Sequence, residues 1–176
     1  MSYESFLQKL VVKECEERRH KRIGRYLRES RLPLEKSLAS FEKIRLPEKL
    51  RVLLNILLEG SFVDRCEKIL AFGNPGSGKT RQLWAIAQEL ISKDRRIFFT
   101  PCSMLAQDLL VAKKELVLPK VQKKLSRFDA LLIDDIGYVQ QSREEMEMLF
   151  TLLAQCYERT SIMITSNLPF SQWEKI

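Results

Sequence analysis

Short apolar runs alternate with stretches of helical periodicity from residue 68 onward. Lys68-Ile69-Leu70-Ala71-Phe72 predicts a buried strand. Leu83, Ile86, Ala87 and Leu90 recur on one helical face and predict a helix over 81–92. The same patterning gives a strand over 96–100 and a helix over 103–114 with Leu105, Leu109 and Leu110 inward. It continues with a helix over 118–128 (Leu118, Val121, Leu125 and Phe128 inward), a strand over 130–136, a helix over 144–159 and a strand over 161–165. Strands that are apolar almost throughout, alternating with helices, predict an α/β fold with a parallel sheet flanked by helices. Ahead of this core, 3–32 reads as one helix, whose apolar stripe opens with Phe6, Leu7, Leu10 and Val11 and resumes at Ile23, Tyr26 and Leu27. A shorter helix over 48–58 is expected to bury Leu50, Leu53, Leu54, Leu57 and Leu58. The chain thus divides into a basic helical extension over 1–60 and an α/β core over 61–176.

Length and composition narrow the class. A chain of 176 residues, 45% hydrophobic and 30% charged, supports one sizeable core and is short for two. No apolar run reaches membrane-spanning length and the N-terminus lacks a signal-peptide pattern, so the expectation is a cytoplasmic protein with no membrane partner. Cys15, Cys66, Cys102 and Cys156 form no Cys-x-x-Cys pair and His20 is the single histidine, a composition that argues against a zinc site or a disulfide framework. A net charge of +7 with a pI near 9.3 favours an anionic partner such as nucleic acid.

The decisive chemistry lies between the first strand and its helix. Gly73-Asn74-Pro75-Gly76-Ser77-Gly78-Lys79-Thr80 fits the phosphate-binding pattern of a Gly, four residues, then Gly-Lys-Thr. A strand, a glycine loop and a helix N-terminus form an anion cradle, because free N–H groups and the helix dipole point at the bound charge. Lys79 would reach the β- and γ-phosphates and the Thr80 hydroxyl would ligate Mg²⁺. The competing reading, a surface turn before an ordinary helix, has to explain both flanking elements as chance. The sequence Leu131-Leu132-Ile133-Asp134-Asp135 supplies the second part. It places two carboxylates at the carboxyl edge of the sheet, where open α/β folds bind ligands. Asp134 would hold Mg²⁺ through water and Asp135 would orient the attacking water. No Asn-Lys-x-Asp guanine reader occurs, which points to ATP over GTP.

The strand over 96–100 lies between these two motifs in sequence. That order resembles the P-loop ATPases in which a further strand separates the two motif strands in the sheet (the ASCE type). Ser161-Ile162-Met163-Ile164-Thr165-Ser166-Asn167 is similar to the polar sensor strand of AAA+ ATPases. By that resemblance Asn167 contacts the γ-phosphate or the attacking water; the alternative is an asparagine in a strand-end turn before Pro169. The whole pattern resembles the IstB-like ATP-binding family, helper ATPases of insertion-sequence transposition related to DnaC helicase loaders. The matching stretches are the phosphate loop, Leu132 to Tyr138, and Thr165 through Leu168-Pro169-Phe170-Ser171-Gln172-Trp173. Met148-Leu149-Phe150, Tyr157-Glu158-Arg159 and Ser37-Leu38-Ala39-Ser40-Phe41 also match. Phe41 packs on the adenine by that analogy, or serves as an ordinary core phenylalanine.

The resemblance implies ATP and Mg²⁺ as cofactors, duplex DNA of low sequence specificity and a transposase as partners, and a homo-oligomer at full length. Alternatives are a DnaC-like helicase loader and a nucleotide-gated DNA-binding module that does not hydrolyse. Two departures stand out. Many AAA+ ATPases carry Asp-Glu where this chain has Asp134-Asp135. The family also continues beyond residue 176 into an arginine-finger helix and a fifth strand, so weak hydrolysis and an exposed edge at 68–72 are expected. Loss of an arginine finger lowers turnover by roughly 10³- to 10⁵-fold in P-loop enzymes. DNA is expected on the helix over 118–128, where Lys120, Lys123, Lys124 and Arg127 share one face and Lys113 and Lys114 extend it. A merely solvated basic face is the other reading. Arg18, Lys21, Arg22, Arg25 and Arg28 form a further basic stripe, facing either DNA or an acidic protein surface.

Overall fold

Each apolar strand must bury both of its faces, and a helix-covered parallel sheet is the arrangement that does so. The computed structural model describes residues 3–33, 47–137 and 142–169. In chain order it contains α1 (Tyr3–Ser30), α2 (Glu48–Glu59), α3 (Ser61–Asp64), β1 (Lys68–Phe72), α4 (Lys79–Ser92) and β2 (Ile97–Pro101). Then come α5 (Cys102–Lys114), α6 (Leu118–Leu125), β3 (Ala130–Ile136), α7 (Arg143–Gln155) and β4 (Ser161–Ser166). All strand pairs are parallel and the sheet order is β1-β4-β3-β2. The last strand of the described chain therefore lies between the two motif strands.

Successive strand residues serve opposite layers. Phe98, Leu131, Ile133, Ile162 and Ile164 pack with Leu105, Leu109, Leu125, Leu149 and Leu152 beneath α5, α6 and α7. Ile97, Ala130, Leu132 and Met163 pack with Leu54, Leu83, Ile86 and Leu90 on the other side, against which Ile23, Tyr26 and Leu27 of α1 lie. Only the second half of α1 is docked in this way. An Arg22–Asp94 ion pair ties it to the end of α4, and Arg96 reaches Glu29 at 2.8 Å. Phe6, Leu7, Leu10 and Val11 in its first half are exposed.

Several boundaries differ from those read in the sequence, each for a local reason. Helix α4 starts at Lys79, two residues early, because Gln82 N–H already donates to the Gly78 carbonyl at 2.9 Å. Helix α6 stops at Leu125, where the Ser126 hydroxyl turns back to the Lys123 carbonyl and Phe128 tucks beside Phe98. Helix α7 ends at Gln155, four residues short, as Arg159 and Thr160 N–H bond to the Cys156 carbonyl in a turn toward β4. Of the leucines expected inside on α2, only Leu54 is buried. Leu50 and Leu53 are 45% and 49% exposed, because they line an open cavity of about 300 Å³ with Leu70 and Phe72 of β1. Phe41 with its neighbours 37–40, Tyr138, and Phe170, Ser171, Gln172 and Trp173 lie outside the described residues.

Candidate nucleotide-binding site

The loop between β1 and α4 takes its shape from glycines. Gly76 (φ 79°) and Gly78 (φ 85°) occupy the left-handed region, where a Cβ brings strain. Gly78 is also the N-cap of α4, so the free N–H groups of the helix start face the loop. Lys79, largely buried, folds back beneath it. Its Nζ donates to the Gly73 carbonyl at 2.8 Å, the Asn74 carbonyl at 3.0 Å and Asn167 Oδ1 at 2.8 Å. Pro75 and Ser77 complete the turn, with Ser77 N–H on the Asn74 carbonyl at 3.2 Å.

From β3, two strands away across β4, come the acids. Thr80 Oγ1 donates to Asp134 Oδ1 at 2.8 Å, and Thr165 Oγ1 donates to the same oxygen at 2.5 Å. Asn167 Nδ2 donates to Asp135 Oδ1 at 3.3 Å. Lys79, Thr80, Asp134, Asp135 and Asn167, drawn from three segments distant in sequence, thus form one connected group at the carboxyl edge of β1, β4 and β3. Burial pushes the Asp135 carboxyl above its usual range, and the Asp134 charge pushes it further; Lys79 and the Asn167 hydrogen bond oppose both.

The backbone beneath the acids is irregular. Ile133 pairs with Ile164, but Ile136 pairs with Ser166, so Asp134 and Asp135 together oppose the single residue Thr165. This is a β-bulge, which bends a strand and re-aims its side chains. Asp135 accordingly has a φ of 58°. The Thr165 hydroxyl accepts Asp135 N–H at 2.8 Å while donating to Asp134, so one side chain satisfies both halves of the bulge. Sequence reasoning gave Thr165 no role. Its position in a polar strand end opposite Asp-Asp was the available signal, but the register that makes it matter is a property of the paired strands.

The basic residues form no part of this group. Lys120, Lys123, Lys124 and Arg127 are exposed on α6 and just after it. The thiols of Cys102 and Cys156 are buried, and no helix among the described residues is long and apolar enough to cross a membrane.

A parallel sheet in the order β1-β4-β3-β2, with a Gly-Lys-Thr loop after its first strand and an acid pair ending its third, defines a P-loop ATPase fold of the AAA+ class. Within that class the chain belongs to the IstB-like ATP binding protein family, which it matches over residues 1–176, and ATP binding comes with that membership. It is 40% identical over 172 residues to an insertion sequence ATP-binding protein of Sinorhizobium fredii, covering 97% of this chain and 58% of that one. It is 33% identical over 173 residues to an insertion sequence IS21 ATP-binding protein of Pseudomonas aeruginosa, covering 98% and 65%. The chain therefore spans less than two thirds of the length of each of these relatives. Its fold is similar to AMPPCP-bound DnaA from Aquifex aeolicus, with a TM-score of 0.66 and 20% identity over 78% of this chain and 43% of that one. The DnaC helicase loader has a TM-score of 0.62 and 21% identity, over 69% and 70%.

Proposed function

We propose that this chain is a DNA-binding AAA+ ATPase that assembles on duplex DNA in its ATP state and assists the transposase of an insertion sequence. The division of labour is a basic extension over 1–60 and an ATPase core over 61–176. The observation that carries the nucleotide chemistry is the connected group of Lys79, Thr80, Asp134, Asp135 and Asn167. Gly73, Asn74, Pro75, Gly76, Ser77 and Gly78 cradle the phosphates and Lys79 neutralises them. Thr80 and Asp134 offer hydroxyl and carboxylate oxygens, a donor set that fits the hard cation Mg²⁺. Bound Mg²⁺ would neutralise charge on the β- and γ-phosphate oxygens. Asp135, with its raised proton affinity, serves as acceptor for the proton of the attacking water, and Asn167 orients that water. The apolar cavity beside Gly73 gives a purine ring a wall of Leu50, Leu53 and Phe72.

The DNA and transposase parts rest on the insertion-sequence relatives and on the basic face of α6. Sedimentation of the purified chain with duplex DNA, with and without a non-hydrolysable ATP analogue, tests them. Large assemblies that need both ligands are expected. A chain that binds nucleotide yet stays small with DNA present argues for an isolated nucleotide-binding unit. A preference for single strands over duplex favours the helicase-loader alternative.

A further inference from the structure

Leu116 is held in solvent by a backbone that disfavours it. The residue is 89% exposed and its φ is 59°, in the left-handed region that suits glycine. It is the first residue past the C-cap of α5, with Leu116 N–H on the Lys113 carbonyl at 3.1 Å and Val117 N–H on the Ala112 carbonyl at 2.9 Å. This paired closure usually takes glycine at the left-handed position. The other non-glycine residues with positive φ differ. Asp94 pairs with Arg22, Arg31 lies over the Phe98 ring at 5.2 Å, and Asp135 belongs to the nucleotide group; Cys66 is small and Glu158 is charged. Among the described residues, Leu116 alone combines that strain with a large, exposed, apolar side chain.

Its setting is cationic. Between residues 113 and 127 the chain carries Lys113, Lys114, Lys120, Lys123, Lys124 and Arg127 against one acid, Glu115. All six cations are exposed, and none forms an ion pair with a carboxylate among the described residues. Asp108 and Glu115 share a cavity wall with Lys124, which leaves the Lys113–Lys114 end and Lys120–Lys123 as the least compensated flanks of the leucine.

We propose that Leu116 is a wedge that enters duplex DNA between adjacent base pairs while the surrounding lysines hold the phosphates. An apolar tip flanked along the chain by cations matches a polyanion whose interior is a stack of apolar base faces. A protein partner would have to match those cations with an acidic rim around an apolar pocket, whereas any duplex supplies both the charge and the stack. Insertion accounts for a leucine kept where both its backbone and its side chain are unfavourable, a pattern expected at a functional site. The inference rests on the DNA-binding reading of this basic face.

The test titrates duplex DNA carrying 2-aminopurine at several positions with the full chain, a non-hydrolysable ATP analogue and Mg²⁺, over a range of salt. The native chain is expected to raise the fluorescence as bases unstack. Leu116→Gly relieves the backbone and should melt no lower than the native chain. It should keep the salt slope and lose the fluorescence rise, whereas Leu116→Met should retain the rise. Joint replacement of Lys120, Lys123, Lys124 and Arg127 by Gln should flatten the slope of log affinity against log salt by about three to four. A native slope in that quadruple variant overturns the DNA reading of the face and the wedge with it. A flattened slope there, combined with a full fluorescence rise from Leu116→Gly or none from the native chain, overturns the wedge alone.

Discussion

At the residue scale, Lys79 and Asp135 occupy different places in one network, and their substitutions should separate. Lys79→Ala removes the cation whose ammonium the loop carbonyls and Asn167 jointly aim. ATP affinity, read by fluorescence titration, should fall at least about tenfold while the far-UV spectrum stays native; unchanged binding would place the phosphates elsewhere. Asp135→Asn keeps the shape and the reach to Asn167 but not the basicity. Nucleotide affinity should be native, and any hydrolysis should drop by about 10²-fold or more, the usual worth of a positioned base.

At the scale of elements, one hydroxyl of β4 serves both acids at the end of β3. Thr165→Val conserves volume and strand propensity but leaves Asp135 N–H without its acceptor and Asp134 without one donor. Losing a hydrogen bond to this part-buried donor costs about 0.5–1.5 kcal/mol, so the melting temperature should fall and nucleotide affinity with it. A native melting curve would show that the Thr165 hydroxyl is not what holds the bulge. The same elements show what a sequence makes visible. β1 and β3 lie where their apolar runs put them, and the Gly73–Thr80 loop was legible because its chemistry is local. The bulge, the task of Thr165 and the left-handed Leu116 were not, because each arises from pairing or chain closure between residues whose individual types are unremarkable. Leu50 and Leu53 misled for the opposite reason. Periodicity reports which face of a helix is apolar, and here that face fronts an open cavity beside β1 instead of a filled core.

At the scale of the whole molecule, the long first helix is docked by one half only, and its attachment is partly ionic. The Arg22 guanidinium, hydrogen-bonded to Asp94, holds that carboxyl below its ordinary range. Because the folded value is lowered, the stabilisation is fully present above the ordinary Asp range and is lost as pH falls through the folded value. Hydrogen-exchange protection over residues 18–30, taken relative to the intrinsic rate at each pH, should therefore fall in acid. Asp94→Ala should produce the same loss of protection at neutral pH, with the sheet still protected. Exchange unaltered by either change would mean that Ile23, Tyr26 and Leu27 suffice to seat the helix. Strong salt should act in the same direction, since the pair is partly exposed to solvent.

The paired strands also make the acid-bearing edge sensitive to counting. Two residues of β3 stand against one of β4 between Ile133–Ile164 and Ile136–Ser166. Deleting either Asp134 or Asp135 would restore an even ladder and leave a single acid, aimed only by the ordinary strand alternation. Substitutions at Ile136 can be absorbed by repacking, but a lost codon cannot. In this short stretch, length is under tighter structural constraint than identity.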